Sequence, residues 1–227
     1  MTTSNLSALA HTVAEVRDHI AAACERSGRN VDDVGLIAVT KTVGSDTVQE
    51  LAHLPGALAC NQFGENRVQE LARKLEACPD QTFHFIGTLQ RNKVADVVGR
   101  VALIHSVDSY RLLDAIDRRA CALDIIQDVL LQVNVSGERT KHGFEPDEVP
   151  EVIAYARTLK GIRVTGLMTM APFGKPEESR PYFRSLFKLG QEMGSGELSM
   201  GMSNDYEVAI EEGATLIRVG SALFRSA

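Results

Sequence analysis

One periodicity constrains this chain more than any single motif. Eight short apolar runs, at 36–40, 58–61, 83–86, 103–105, 129–135, 163–168, 198–200 and 215–219, alternate with segments whose apolar residues recur at spacings of three and four. The runs begin about 26 residues apart on average, enough for a strand, a crossover helix and two short loops. Such alternation predicts a parallel sheet. Eight repeats predict an α/β fold closed as a single (β/α)8 TIM barrel. A doubly wound open sheet is the competing reading, because short strands are easily miscounted. An extra helix precedes the first run, where Leu6, Leu9, Ala10, Val13, Val16, Ile20 and Ala23 make one apolar face and Gly28 reads as its stop. Ser45 and Ser203 are expected as N-caps, Pro146 in a first helical turn and Gly213 just past a helix end. No Pro/Gly/Ser-rich linker interrupts residues 1–227, which read as one domain.

Composition excludes several function classes. Thirty acidic against 24 basic residues leave a net charge of −6, which disfavours nucleic acid or an anionic membrane as partner. No run of 18 apolar residues and no signal-peptide h-region is found, so the expected location is the cytoplasm, with Cys24, Cys60, Cys78 and Cys121 as reduced thiols. They form no C-x-x-C pair, and the six histidines form no H-x-x-x-H helix motif, so no metal site is expected. The glycine-rich nucleotide motifs and the G-x-S-x-G nucleophile elbow are absent.

In a barrel, function collects where strands end. Lys41 follows the first run, Phe63-Gly64-Glu65-Asn66 follows the second, and His84 lies inside the third. Met200-Gly201-Met202-Ser203-Asn204-Asp205 follows the seventh, and Arg218-Val219-Gly220-Ser221 closes the eighth. Turns after neighbouring strands seven and eight, rich in Ser and Gly, are either helix caps or a phosphate cradle of backbone N–H groups. Lys41 is either a rim lysine in a salt bridge or an amine held dry enough to attack an aldehyde. Arg218 either pairs with a carboxylate such as Glu65 or faces a ligand; His84 is either a satisfied core histidine or part of the pocket. An amine opposite a phosphate cradle suits pyridoxal 5′-phosphate (PLP), and equally a cofactor-free Schiff-base aldolase acting on a sugar phosphate.

The motifs Ala38-Val39-Thr40-Lys41-Thr42, Phe63-Gly64-Glu65-Asn66, Phe83-His84-Phe85-Ile86-Gly87, Leu89-Gln90-Arg91-Asn92-Lys93, Gly166-Leu167-Met168-Thr169-Met170-Ala171-Pro172, Leu198-Ser199-Met200-Gly201-Met202-Ser203-Asn204-Asp205 and Arg218-Val219-Gly220-Ser221 together resemble the YggS/PROSC family of PLP homeostasis proteins. That family's barrel is similar to the N-terminal domain of alanine racemase. The resemblance runs from about Leu36 to Phe224 and implies PLP as a covalent aldimine on Lys41. It further implies Arg218 at the pyridine nitrogen, Ser203, Gly220 and Ser221 on the phosphate with the Met202 backbone nearby, and Asn66 and His84 along the ring. Two departures stand out: Arg67 where the family has Tyr, and Phe224-Arg225-Ser226-Ala227 where Phe-Gly is usual.

The resemblance favours a protein that holds and delivers PLP without turnover over an amino-acid racemase or lyase. A racemase on this barrel needs an acid/base tyrosine from a second, β-rich domain, whereas Tyr110, Tyr155, Tyr182 and Tyr206 all fall in expected helices or at their starts, and about eight residues follow the last run. The expected partners are PLP and PLP-dependent apo-enzymes as recipients, with the protein itself a monomer or weak homodimer.

Overall fold

The computed structural model describes residues 3–138, 142–194 and 196–224; the side chains of residues 3–7, Leu6 among them, and the 225–227 end noted above lie outside that description. The chain closes an eight-stranded parallel barrel in sequential order, β1 pairing with β8, which decides against the open sheet. The strands are β1 (Gly35–Val39), β2 (Gln62–Glu65), β3 (Thr82–Phe85), β4 (Leu103–Val107), β5 (Gln127–Gln132), β6 (Ile162–Met168), β7 (Glu197–Met202) and β8 (Leu216–Val219). The helices are α1 (Thr3–Ser27), α2 (Ser45–Ala52), α3 (Val68–Ala77), α4 (Val94–Val97), α5 (Tyr110–Ala122), α6 (Val149–Ala156), α7 (Arg180–Met193) and α8 (Tyr206–Glu211).

Two apolar layers hold this arrangement. Ile37, Leu103, Leu130, Met168 and Leu216 fill the barrel interior. A larger shell, including Phe63, Phe83, Phe85, Leu113, Ile116 and Leu186, packs the outward strand faces under the helices. Each such side chain contributes roughly 1.5–3 kcal/mol on burial. The extra helix α1 lies along α8, with Leu9, Val13, Val16, Ile20 and Ala23 buried. Arg29, just beyond α1, donates to the carbonyls of Ile210 (2.8 Å) and Ala214 (2.7 Å), covering acceptors at the end of α8.

Four sequence expectations need correction. The second strand is not 58–61: Gly56–Leu58 is a 3-10 turn entered from Pro55, and the strand is Gln62–Glu65. That strand carries a single large apolar residue because Gly64, its inward position, lies where a Cβ would come 2.9 Å from Ile37 Cγ2. The fifth strand ends at Gln132 rather than Val135, since Val133 makes only an isolated bridge to Phe144. Gly44, not Ser45, caps α2. Asp205, not Ser203, precedes α8, and the Ser203 hydroxyl is turned to another use. Gly28 and Gly213 do stand at helix ends with left-handed φ of +67° and +97°.

Candidate functional site

The expected site residues are carried by five consecutive strands at one end of the barrel. Met202 and Ser203 end or follow β7, Arg218, Gly220 and Ser221 end or follow β8, Lys41 follows β1, Asn66 follows β2, and His84 lies in β3. All sit on the C-terminal face, the usual place for barrel chemistry.

Lys41 occupies the second position of a tight turn closed by the Val43 N–H on the Thr40 carbonyl, 3.1 Å. Its side chain is exposed and makes no hydrogen bond or ion pair to another described residue. The neighbouring strand end supplies converging donors. The backbone N–H groups of Gly220 and Ala222 both donate to Ser203 Oγ, at 3.0 and 3.2 Å. Two amides and a hydroxyl thus converge at one point between the ends of β7 and β8. Gly220 is closely packed there: a Cβ would stand a tight 3.2 Å from both Val39 Cβ and Val39 O. Gly201 creates the preceding bend, with φ +87° at a register shift between β7 and β8 and a would-be Cβ 2.5 Å from Ala209. Met202 is less available than expected, since its N–H donates to Asp205 Oδ1 at 2.7 Å. Asp205 also accepts from the Ser179 hydroxyl at 2.9 Å, so it braces the loop after β7.

Arg218 points into the barrel, two residues beyond the interior Leu216, and is 5% exposed. Its partner is not Glu65, which pairs with Lys74. It donates instead to the Thr169 carbonyl (2.9 Å) and to Ser199 Oγ. Burial lowers its pKa to about 10, with Asp205 acting the other way, so it stays charged at neutral pH. From Ser199 a buried chain continues to His105 Nδ1 (2.8 Å), and His105 Nε2 meets His84 Nδ1 (3.0 Å). Arg218 only donates, so Ser199 Oγ accepts from it; the serine oxygen keeps a second lone pair and a proton, and either order of donation along Ser199, His105 and His84 is compatible with these contacts. Burial lowers the His84 pKa to about 4 and holds His105 well below the usual range, aided by His84 and Arg218, so both rings are neutral at pH 7.

Asn66 is half-buried, and its Oδ1 is a buried acceptor without a partner among the described residues. Arg67, the departure from the family pattern, is exposed and stands at the N-cap of α3. Ser221 is exposed beside Gly220. The sequence did not single out His105, Ser199 and Lys74 at this end of the barrel, and it offered Glu65 to Arg218 rather than to Lys74. A weak signal for His105 is its place two residues after inward Leu103. Among the described residues no group of three or more His, Cys, Asp or Glu forms a metal site, and no helix is long and apolar enough to cross a membrane. Together the parts offer an amine at the mouth, a turn of converging amides beside it, and an arginine that donates but takes up no proton.

The family model for the alanine racemase N-terminal domain matches residues 4–227. A pyridoxal phosphate homeostasis protein of Aquifex aeolicus is 45% identical over 221 residues, covering 93% of this chain and 95% of the relative. A solved structure of an unknown protein from Bifidobacterium adolescentis is 35% identical with a TM-score of 0.89, covering 99% of this chain and 97% of that one. The structure of PipY from Synechococcus elongatus, with PLP bound, is 33% identical with a TM-score of 0.80, covering 95% of this chain and 99% of that one.

Proposed function

The chain belongs to the pyridoxal phosphate homeostasis proteins, built on the alanine racemase N-terminal domain fold, and from that membership we propose that it binds PLP, held covalently by Lys41, and passes it on to PLP-dependent apo-enzymes. The observation that carries this reading is the adjacency of two halves of a site: Lys41 follows β1, the Ser203/Gly220/Ala222 turn closes β8, and β1 and β8 are hydrogen-bonded neighbours. PLP brings an aldehyde, a phosphate and a pyridine ring whose nitrogen can draw in electrons. Lys41 Nζ would add to the aldehyde carbon, forming C=N and releasing the oxygen as water. The Gly220 and Ala222 amides with the Ser203 and Ser221 hydroxyls would take the phosphate, Met202 bordering them. Arg218 would face the pyridine nitrogen as a donor, and Asn66 Oδ1, a buried acceptor without a partner among the described residues, and His84 Nε2 are polar atoms suited to the ring edge.

What surrounds these groups supports a holding role rather than turnover. Arg218 cannot give the pyridine nitrogen a full proton as a carboxylic acid can, so the ring is kept a weak electron sink. Tyr110, Tyr155, Tyr182 and Tyr206 lie in α5, α6, α7 and α8, none at a strand end, which leaves no tyrosine for proton transfer on the cofactor. The test is to load the full chain with PLP, reduce with borohydride and map the modified peptide. The expected result is one label, on Lys41, and no label in Lys41→Ala. Failure to load, or a label on another lysine, would overturn the reading.

A further inference from the structure

Lys74 and Glu65 form a buried ion pair that the proposed chemistry does not use. Their side chains are 3% and 0% exposed. Glu65 ends β2 facing outward, and Lys74 reaches it from the buried side of α3, beside Leu71. Lys74 Nζ donates to Glu65 Oε1 and, at 2.6 Å, to the Thr40 carbonyl. The Thr40 hydroxyl donates to the same Glu65 oxygen, also at 2.6 Å.

Thr40 is therefore gripped at every polar atom it has. Its N–H donates to the Gly64 carbonyl at 3.1 Å, its hydroxyl to Glu65, and its carbonyl receives both Lys74 and the Val43 N–H that closes the Lys41 turn. The next residue along the chain from Thr40 is Lys41, and the next from Glu65 is Asn66. One ion pair thus fixes the starting points of two loops that carry site residues. Stability alone is a poor reason to keep it. Buried pairs are often no better than apolar packing of the same volume, and this one leaves Glu65 Oε2 buried with no partner among the described residues, a cost that a purely structural pair would be expected to avoid.

Resting on the reading that Lys41 captures PLP, we infer that Lys74 is a positioning residue: with Glu65 it clamps Thr40, and the clamp sets how readily Lys41 Nζ forms and releases its C=N bond. The bond forms with loss of water and breaks by its return, so no further reactant is needed. Misplacing the amine slows both directions, and displacements near 1 Å cost up to about a hundredfold in rate.

The experiment compares wild type, Lys74→Arg, Lys74→Met and the charge-free double variant Lys74→Met with Glu65→Gln, each as the full chain loaded with PLP. Loading and release are followed by visible absorbance across pH, with borohydride trapping at Lys41 as the endpoint and thermal unfolding in parallel. Lys74→Met and the double variant are expected to load at least about tenfold more slowly, with an altered pH profile, and Lys74→Arg to recover part of the rate. Variants that lose thermal stability but load and release at the wild-type rate would overturn the inference. So would a loss of rate that Lys74→Arg recovers no better than Lys74→Met. Wild type that traps no PLP at Lys41 would instead overturn the function proposed above. The double variant, with no lone buried charge, keeps the comparison open if Lys74→Met fails to fold.

Discussion

Acidification from pH 7.5 to 5 protonates histidines in the unfolded chain that the folded barrel keeps neutral. His84 has an unfolded pKa of about 6.5 and a folded value of about 4, the shift caused by burial. The sign follows directly. A base whose folded pKa is lowered contributes full stability above the unfolded pKa and loses it as pH falls, because the unfolded state then binds more protons. The gap of about 2.5 units corresponds to a loss of about 3 kcal/mol once both states are protonated, and about 2 kcal/mol has gone by pH 5. His105 acts in the same direction. The informative variant is His84→Gln, which never titrates and whose amide can donate to or accept from His105 Nε2. Urea unfolding of both proteins at pH 7.5 and pH 5 isolates the His84 contribution, since the carboxylates are common to both. With an m-value of about 2–3 kcal/mol/M, the wild-type midpoint should fall by about 0.7–1 M more than that of the variant. Parallel loss of stability in the two proteins, or an NMR titration of His84 centred near 6.5, would refute the buried chain as drawn.

Two further outcomes are expected. Gly220→Val places side-chain atoms against Val39 and pushes the converging amides off Ser203, so equilibrium dialysis should show PLP affinity lowered at least about tenfold, a loss of about 1.4 kcal/mol. Of the four cysteines, Cys24, Cys60 and Cys78 are buried and Cys121 is exposed, so a thiol reagent should titrate one group in the folded protein and four after denaturation. Reaction at Cys121 should be slow near neutrality, because desolvation and the neighbouring Asp117 raise its pKa.

The barrel was legible because it rests on local signals: apolar strands, amphipathic helices and glycines at helix ends. The second strand was not, because Gln62-Phe63-Gly64-Glu65 has no alternating apolar pattern. Its inward position is a glycine forced by Ile37, and its outward position is a carboxylate answered by Lys74, nine residues on. Lys41, Arg218 and the Ser/Gly turns could be picked out because strand ends share one face of any such barrel. The chain from Arg218 through Ser199 and His105 to His84 could not. It depends on the stagger of the strands, which decides which inward residues share a layer, and no spacing in the sequence reports that. Lys74 is hidden for a related reason: a lysine on a helix reads as solvated unless the strand beneath it is known to present a carboxylate.

The pairing of β1 with β8 has a consequence for how the protein comes into being. Lys41 follows the first strand and the Gly220 turn follows the eighth, almost 180 residues later. A nascent chain still lacking its eighth strand owns the lysine but not the Gly220–Ala222 turn proposed to hold the phosphate, and its first strand has an unpaired edge. On the proposed reading, cofactor capture and ring closure would be linked events. A ligand that bridges the seam stabilises the closed form by mass action, so the supply of PLP itself would act as a fastening on the newly made barrel.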